Sequence, residues 1–309
     1  MSFKILSIDG GGFRGLYAAH ILERMEDVFG ELYPKFDLIA GTSTGSIIAS
    51  SICCRISAKE ISQLYIQHGK KIFSRKLHTW IPFTGGLFTS QYHNQHLYSL
   101  LLERFSDVRL GEIEKPLIVP ATDIGNGTVH VFKSGYDKGF YRDTNVLVAD
   151  AVLASCAAPM YFDPVMVSGK YCLSDGGLWA NSPALVAVID AHKRLGIDFK
   201  DIKILTIGSG TVNEMYSQKP NVLKLFAGWG FLTKWGRKKF INTLLHLQST
   251  TANNMLGLIL QREQIMRIDF PTDKEMPLDD VSLRQDLLSR ADKDFTHLSA
   301  QIRGFLEIP

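Results

Sequence analysis

A serine sits between two glycines in Gly41-Thr42-Ser43-Thr44-Gly45, after an apolar run, Phe36 to Ala40, and before a helix-like stretch, Ser46 to Arg55. A sharp turn from strand to helix crowds its own backbone, so the residues two before and two after its apex must be tiny. Such a turn lifts the apical hydroxyl to the carboxyl edge of the sheet, at the N-terminus of the following helix. A second glycine cluster, Asp9-Gly10-Gly11-Gly12-Phe13-Arg14-Gly15, follows the apolar run Phe3 to Ile8. Successive glycines let backbone N–H groups converge on one point, where they hold an anion: a phosphate, or the oxyanion of a tetrahedral acyl intermediate. Arg14 in this cluster would steady the loop or favour an anionic substrate. A third piece, Asp175-Gly176-Gly177, follows the strand-like Tyr171 to Ser174. A serine hydroxyl needs a proton acceptor, and a carboxylate within hydrogen-bond reach in a partly dry site is basic enough to be one. Taken singly, each piece also reads as an ordinary tight turn.

The elements that must position these residues alternate. Residues 4–8 read as a buried strand, and Leu16, Ala19, Leu22, Met25 and Phe29 recur at helical spacing until Gly30 stops the run. Strand, glycine loop and helix then repeat around Ser43, the rhythm of a parallel sheet with crossover helices. Leu117 to Ala121 and Ile202 to Ile207 read as further strands, and Val129 to Phe132 as a hairpin arm. The expected fold is therefore α/β: three layers, α/β/α, around a central, mostly parallel sheet, with the ligand site at the carboxyl ends of its strands. Residues 74–93 lack periodicity and carry Trp80, Phe83, Phe88 and Tyr92, which suggests a lid or interfacial loop. Beyond Thr211 aromatics and bases mix. Ile241, Leu244, Leu245, Ala252, Met255 and Ile259 then fall on one helical face, Met266, Ile268 and Phe270 alternate like a strand, and Leu287 to Ile302 forms a last amphipathic helix with Asp279 or Asp280 to cap it. No linker or repeat divides the chain. Residues 1–309 are expected to form one domain, with 212–309 a C-terminal helical, regulatory segment packed on it.

In this order, each after a strand, D-G-G-G-F-R-G, G-T-S-T-G and D-G-G resemble the patatin-like phospholipase family, as do Ala154-Ser155-Cys156-Ala157-Ala158-Pro159 and Asp175 through Asn181 to Pro183. The resemblance is specific over residues 4–55 and 150–210 and loose elsewhere. It implies a Ser–Asp dyad with no metal and no obligatory histidine: Ser43 as nucleophile, Asp175 as general base, and an oxyanion hole from Gly10, Gly11 and Gly12 joined by the N–H of Thr44. Arg14, Gly41, Gly45, Gly176 and Gly177 would support them. The reaction implied is acyl transfer from a lipid ester to Ser43, followed by hydrolysis. More diffusely, the chain resembles the phospholipase effectors of cyclic-oligonucleotide anti-phage signalling, which a cyclic dinucleotide switches on to degrade the host membrane. That implies a cyclic dinucleotide activator, and a homodimer with higher-order assembly on activation. Phe231 and Trp235 would stack on bases while Lys234, Arg237 or Lys239 meets phosphate. The same stretch also reads as core aromatics beside a solvated basic face, or as an amphipathic patch on an anionic membrane.

Composition narrows the partners. The 309 residues are 45% hydrophobic and 21% charged, which excludes a mainly disordered chain. A net charge of +3 is too mild to argue for a DNA or RNA polymer. No apolar run is long enough to span a bilayer and no leader is read at the N-terminus, so the expected location is cytoplasmic, peripheral to the inner membrane when acting. Cys53, Cys54, Cys156 and Cys172 lack C-x-x-C spacing and read as buried, reduced thiols. No histidine pair shows zinc-site spacing. Three other readings stand: a Ser43–Asp175 triad completed by His192, His246 or His297, a phosphate-loop ATPase like the sugar kinases, and a catalytically silent binding protein on a hydrolase scaffold.

Overall fold

The computed structural model describes residues 2–76, 89–212, 216, 235–273 and 276–308. The first strand, β1 (Phe3–Ile8), has the side-chain alternation that sorts the two faces of the sheet. Leu6 and Ile8 join a large cluster on one face, and Ile5 joins a smaller one on the other. On the larger side pack α1 (Gly15–Phe29), reached through the glycine loop, then α2 (Thr44–Cys53), which follows β2 (Leu38–Gly41), and α3 (Ala58–Ile72). Ser57 caps α3 and shares a capping box with Glu60. Helix α4 (Asn94–Phe105) leads to β3 (Leu117–Asp123), which turns back as β4 (Thr128–Lys133). Helix α5 (Val148–Ser155) precedes β5 (Val165–Val167) and β6 (Tyr171–Asp175), and the single turn α6 (Gly177–Ala180) precedes α7 (Ala184–Leu195). Helix α7 covers the opposite face of the sheet through Ala184, Ala187, Val188 and Ala191.

The chain returns to the centre as β7 (Ile202–Ile207) and β8 (Thr211–Val212). After α8 (Arg237–Ile259) it adds β9 (Ile265–Ile268) at the sheet edge and β10 (Pro271–Thr272) beside β8. It ends in α9 (Arg284–Phe305), which lies against α1. The strand order is β5-β6-β3-β2-β1-β7-β9, with β4 on β3. Five strands, β3-β2-β1-β7-β9, run parallel, and β4, β5 and β6 are antiparallel additions. The three-layer α/β/α arrangement around a mostly parallel sheet, read from the sequence, is thus present, and β4, β5 and β6 make the sheet mixed.

One irregularity of the sheet builds the site. Leu117 and Ile118 of β3 pair with β2, but Ala121 to Asp123 of the same strand pair with β6. Strand β6 therefore takes over the edge that β2 gives up when it turns at Gly41. Its last residue, Asp175, arrives where β2 ends.

Several local expectations change. Helix α2 runs Thr44–Cys53, two residues ahead of the Ser46 to Arg55 stretch at both ends, and Ser43 is its cap. On α8 the buried face runs through Ile241, Ala252 and Leu256, while Leu244 and Met255 are exposed, because the face that packs is rotated slightly from the one the apolar pattern suggested. Asp280 accepts from the Ser282 amide in the turn before α9, whereas Asp279 accepts from the Tyr92 hydroxyl at 2.5 Å. Tyr92 is buried among Phe73, Tyr161 and Phe162, not displayed at an interface. Cys54 and Cys172 are half-buried. Trp80, Phe83 and Phe88, with most of the expected lid, and Phe231 and Lys234 lie outside the described residues. No helix among the described residues is long and apolar enough to cross a membrane.

Candidate active site

Ser43 is held in a conformation that side chains rarely adopt, φ 52° and ψ −128°. The backbone region is nearly reserved for glycine and costs on the order of 1–3 kcal/mol, so it persists only where neighbours over-determine it. They do so here. The Ser43 amide donates to the Ser155 hydroxyl at 2.9 Å, and that hydroxyl donates to the Pro120 carbonyl of β3 at 2.6 Å. The Ser43 carbonyl accepts from the Ser46 hydroxyl at 2.6 Å. Gly41 and Gly45 are required by close approach: a methyl group on Gly45 would strike the Ile8 carbonyl, and one on Gly41 would strike Gly45 itself. The turn thus presses β2, α2 and β1 together and aims the hydroxyl outward.

Asp175 ends β6 directly beneath that hydroxyl. The Ser43 hydroxyl faces its carboxyl group and favours the charged form, and the carboxyl accepts from the Gly177 amide at 2.7 Å. Gly176 closes the turn with its α-carbon against the Pro120 carbonyl. Asp175 is 3% exposed, and burial outweighs the Gly177 amide and the Ser43 hydroxyl, pushing the carboxyl pKa up to about 7. Cys156 is the neighbour that sequence reading left without a role. Its thiol lies 3.9 Å from the Ser46 hydroxyl, and burial followed by the nearby Asp175 charge raises its pKa well above that of a free thiol. It is a space-filling apolar contact there, not a second nucleophile.

The glycine loop divides unevenly. The Gly10 amide is engaged by the Asn181 carbonyl at 2.9 Å, so it is not available to an oxyanion. Among the described residues the amides of Gly11, Gly12 and Thr44 carry no such partner, and all three residues line the same cleft as Ser43 and Asp175. The loop is clamped from the far end of the chain. The Phe13 amide donates to the Leu278 carbonyl at 2.7 Å, Ser209 donates to the Gly10 carbonyl at 2.8 Å, and Arg267 reaches Asp9 at 2.8 Å. Burial lowers the pKa of Arg267, but Asp9 and Asp269 outweigh it and leave the group more firmly charged than a free arginine. Asn181, whose amide also meets Ser249 at 2.8 Å, lay within the D-G-G-L-W-A-N run but nothing in its spacing announced a contact. Arg267 and Leu278 had no sequence signal, because their partners are some 260 positions away.

The cleft in front of Ser43 is walled by Phe13, Ile47, Tyr65, Leu97, Phe162 and Leu278, an apolar lining that suits an acyl chain. Among the described residues no histidine lines it. His192 bonds the Ile197 carbonyl and stacks on Phe199, His297 bonds the Lys293 carbonyl on the outer face of α9, and His246 faces a neighbouring polar cavity. No cluster of three metal-ligating side chains is found among the described residues. Trp235 is partly exposed and packs edge-on against Phe240 and Tyr216, and Lys239 sits over the Tyr216 ring and lines the polar cavity. Arg237 opens α8.

Residues 6–188 match the family described as patatin-like phospholipase. A cUMP-AMP-activated phospholipase of Escherichia coli is 29% identical, aligning 98% of this chain with 93% of its own. A cGAMP-activated phospholipase of Pseudomonas aeruginosa is 28% identical over 82% of this chain and 74% of that one, and a protein of the same name from Vibrio cholerae is 30% identical over 75% and 70%. Among solved structures, VipD from Legionella pneumophila superposes on 99% of this chain and 67% of its own with a TM-score of 0.50 at 14% identity, a likeness of fold alone.

Proposed function

The chain belongs to the patatin-like phospholipase family, and from that premise we propose that it releases fatty acids from membrane phospholipids through a Ser43–Asp175 dyad. The observation that carries the reading is the Ser43 hydroxyl set beside a buried carboxyl group, in an apolar cleft edged by the amides of Gly11, Gly12 and Thr44, which have no partner among the described residues. Ser43 Oγ attacks the ester carbonyl carbon while its proton passes to Asp175, whose raised pKa makes it an effective acceptor near neutrality. The carbonyl oxygen becomes an oxyanion facing the amides of Gly11, Gly12 and Thr44, each worth about 3 kcal/mol of barrier in such a hole. Collapse breaks the ester C–O bond, and Asp175 returns its proton to the departing lysolipid alcohol. A water molecule then attacks the acyl-enzyme, again giving its proton to Asp175. The tetrahedral adduct expels the fatty acid, and Ser43 recovers the proton.

The names of the relatives support a second layer of the reading: a cyclic dinucleotide switches the enzyme on, in anti-phage defence. The alignment that covers 98% of this chain includes the C-terminal segment, which supplies the clamp on the glycine loop. We read the active enzyme as cytoplasmic and peripheral to the inner membrane, with assembly beyond a homodimer accompanying activation. Leu244, Leu247, Met255 and Leu258 stand exposed on one stripe of α8, next to Leu245 of the cleft wall, where a membrane contact would deliver substrate.

Fatty acid release from phospholipid vesicles, with and without cyclic dinucleotides, tests both layers. Ser43→Ala and Asp175→Asn each abolish release under all conditions, and a nucleotide raises the wild-type rate. Substantial release by either folded variant refutes the dyad, and nucleotide-indifferent release refutes the switch alone.

A further inference from the structure

Beside the catalytic cleft, and sharing the walls Asn181 and Leu245 with it, lies a polar cavity. Two arginines line it, and they differ in kind. Arg267 is paired twice, with Asp9 at 2.8 Å and Asp269 at 2.7 Å. Arg14 is 8% exposed and makes one hydrogen bond, from Nε to the Gly11 carbonyl at 3.2 Å. Among the described residues no carboxylate lies within ion-pair distance of it, and its terminal nitrogens donate to no protein acceptor. Asp9 and Asp269 also line the cavity, but both are taken up by Arg267, and Asp269 acts on Arg14 only from beyond ion-pair distance. A guanidinium nine-tenths buried with no carboxylate in contact is costly, and an anionic ligand offsets that cost. A second observation points the same way. On α8 the cavity is lined by Lys239, Asn242 and His246, and the buried Asn242 Oδ1 has no hydrogen-bond partner among the described residues. A ligand carrying an anion and, beside it, a hydroxyl or amine donor satisfies both groups.

We propose that this cavity is a phosphodiester subsite, in which Arg14 and Lys239 hold the phosphate and Asn242 accepts from a neighbouring donor. Planar guanidinium suits phosphate oxygens, which it can meet through two N–H groups at once. Arg14 also ties the subsite to the reaction centre, because the residue whose carbonyl it holds, Gly11, offers one of the three free amides beside Ser43. Two molecules present this chemistry. One is the headgroup of a phospholipid whose acyl chain fills the apolar cleft, and this source rests on the lipid-hydrolase reading. The other is a cyclic dinucleotide entering from the side of α8.

The test combines binding and turnover in the full chain. Titration calorimetry measures glycerophosphoglycerol and 3′,3′-cGAMP against the wild type, Arg14→Gln and Lys239→Met. In parallel, kcat/KM on phosphatidylglycerol vesicles is divided by kcat/KM on a neutral acyl ester that lacks phosphate. Removing one charge-assisted phosphate contact weakens binding by about tenfold or more. If the headgroup is the ligand, glycerophosphoglycerol binding and the phospholipid-to-neutral-ester ratio both fall by that factor in each variant. If the nucleotide is the ligand, cGAMP binding falls and the ratio holds. The proposal is overturned if the wild type binds neither probe, or if binding and ratio are both unchanged in a folded Arg14→Gln or, should that variant not fold, in Lys239→Met. A wild type that hydrolyses neither ester removes the lipase reading and leaves the calorimetry to judge the cavity.

Discussion

Replacing Asp175 by Asn changes little in shape and removes a charge that the fold holds at a cost. Burial pushes the carboxyl pKa from its ordinary 3.8 up to about 7. Between those two values the folded chain keeps the proton and the unfolded chain loses it. Wild-type stability is therefore full in acid and falls as pH rises through that window, reaching its floor once Asp175 is ionised in both states. A gap of about three pH units, each worth about 1.4 kcal/mol, makes the total loss about 4 kcal/mol. The asparagine of the variant has no proton to lose, and its amide oxygen still accepts from Gly177. Urea unfolding of both proteins over a series of pH values from about 4 to 8.5 gives the difference. The expected result is near-equal stability in acid, with the variant pulling ahead by about 4 kcal/mol as the pH passes 7 and no further change beyond. A difference that does not depend on pH, or a wild type that gains over the variant as pH rises, would refute the claim that a buried, reluctantly ionised carboxylate lies under Ser43.

Three further outcomes follow from the same geometry. With a neutral ester, log kcat/KM should rise with pH at about unit slope and level off above pH 7, because only ionised Asp175 accepts the Ser43 proton; a flat profile across that range would remove Asp175 as the base. Gly45→Ala drives a methyl group into the Ile8 carbonyl and should cost about 1–3 kcal/mol with loss of turnover, readable by thermal melting and ester hydrolysis. His192→Ala, His246→Ala and His297→Ala should each retain turnover, since none lines the cleft; abolition by any one would reinstate a triad.

How much of this was legible in the sequence depends on the range over which each residue acts. The elbow at Ser43 could be read because its constraint is local: a strand, a helix and two glycines within five positions. The alternation of strands and helices was legible for the same reason, and it gave the three layers. The meeting of Ser43 with Asp175 could be named only by family resemblance, because it depends on β6 displacing β2 along a single edge of β3, a register choice with no local signature. The Gly10 amide reads as a free donor in the sequence, but its partner is the Asn181 carbonyl, 171 positions on, and a backbone oxygen leaves no trace in residue types. On α8 the apolar pattern was broad enough to fit two neighbouring faces. Tertiary packing against the sheet chose the one through Leu256 and left Leu244 and Met255 outside.

The proposed nucleophile is the hydroxyl at position 43. Incubation with a lipid-like fluorophosphonate, followed by intact mass and peptide mapping, tests it without assuming any particular ester. The expected result is one adduct per chain, located on Ser43, absent from Ser43→Ala and formed far more slowly in Asp175→Asn. An adduct on any other residue, or labelling that persists when Ser43 is replaced, would contradict the account.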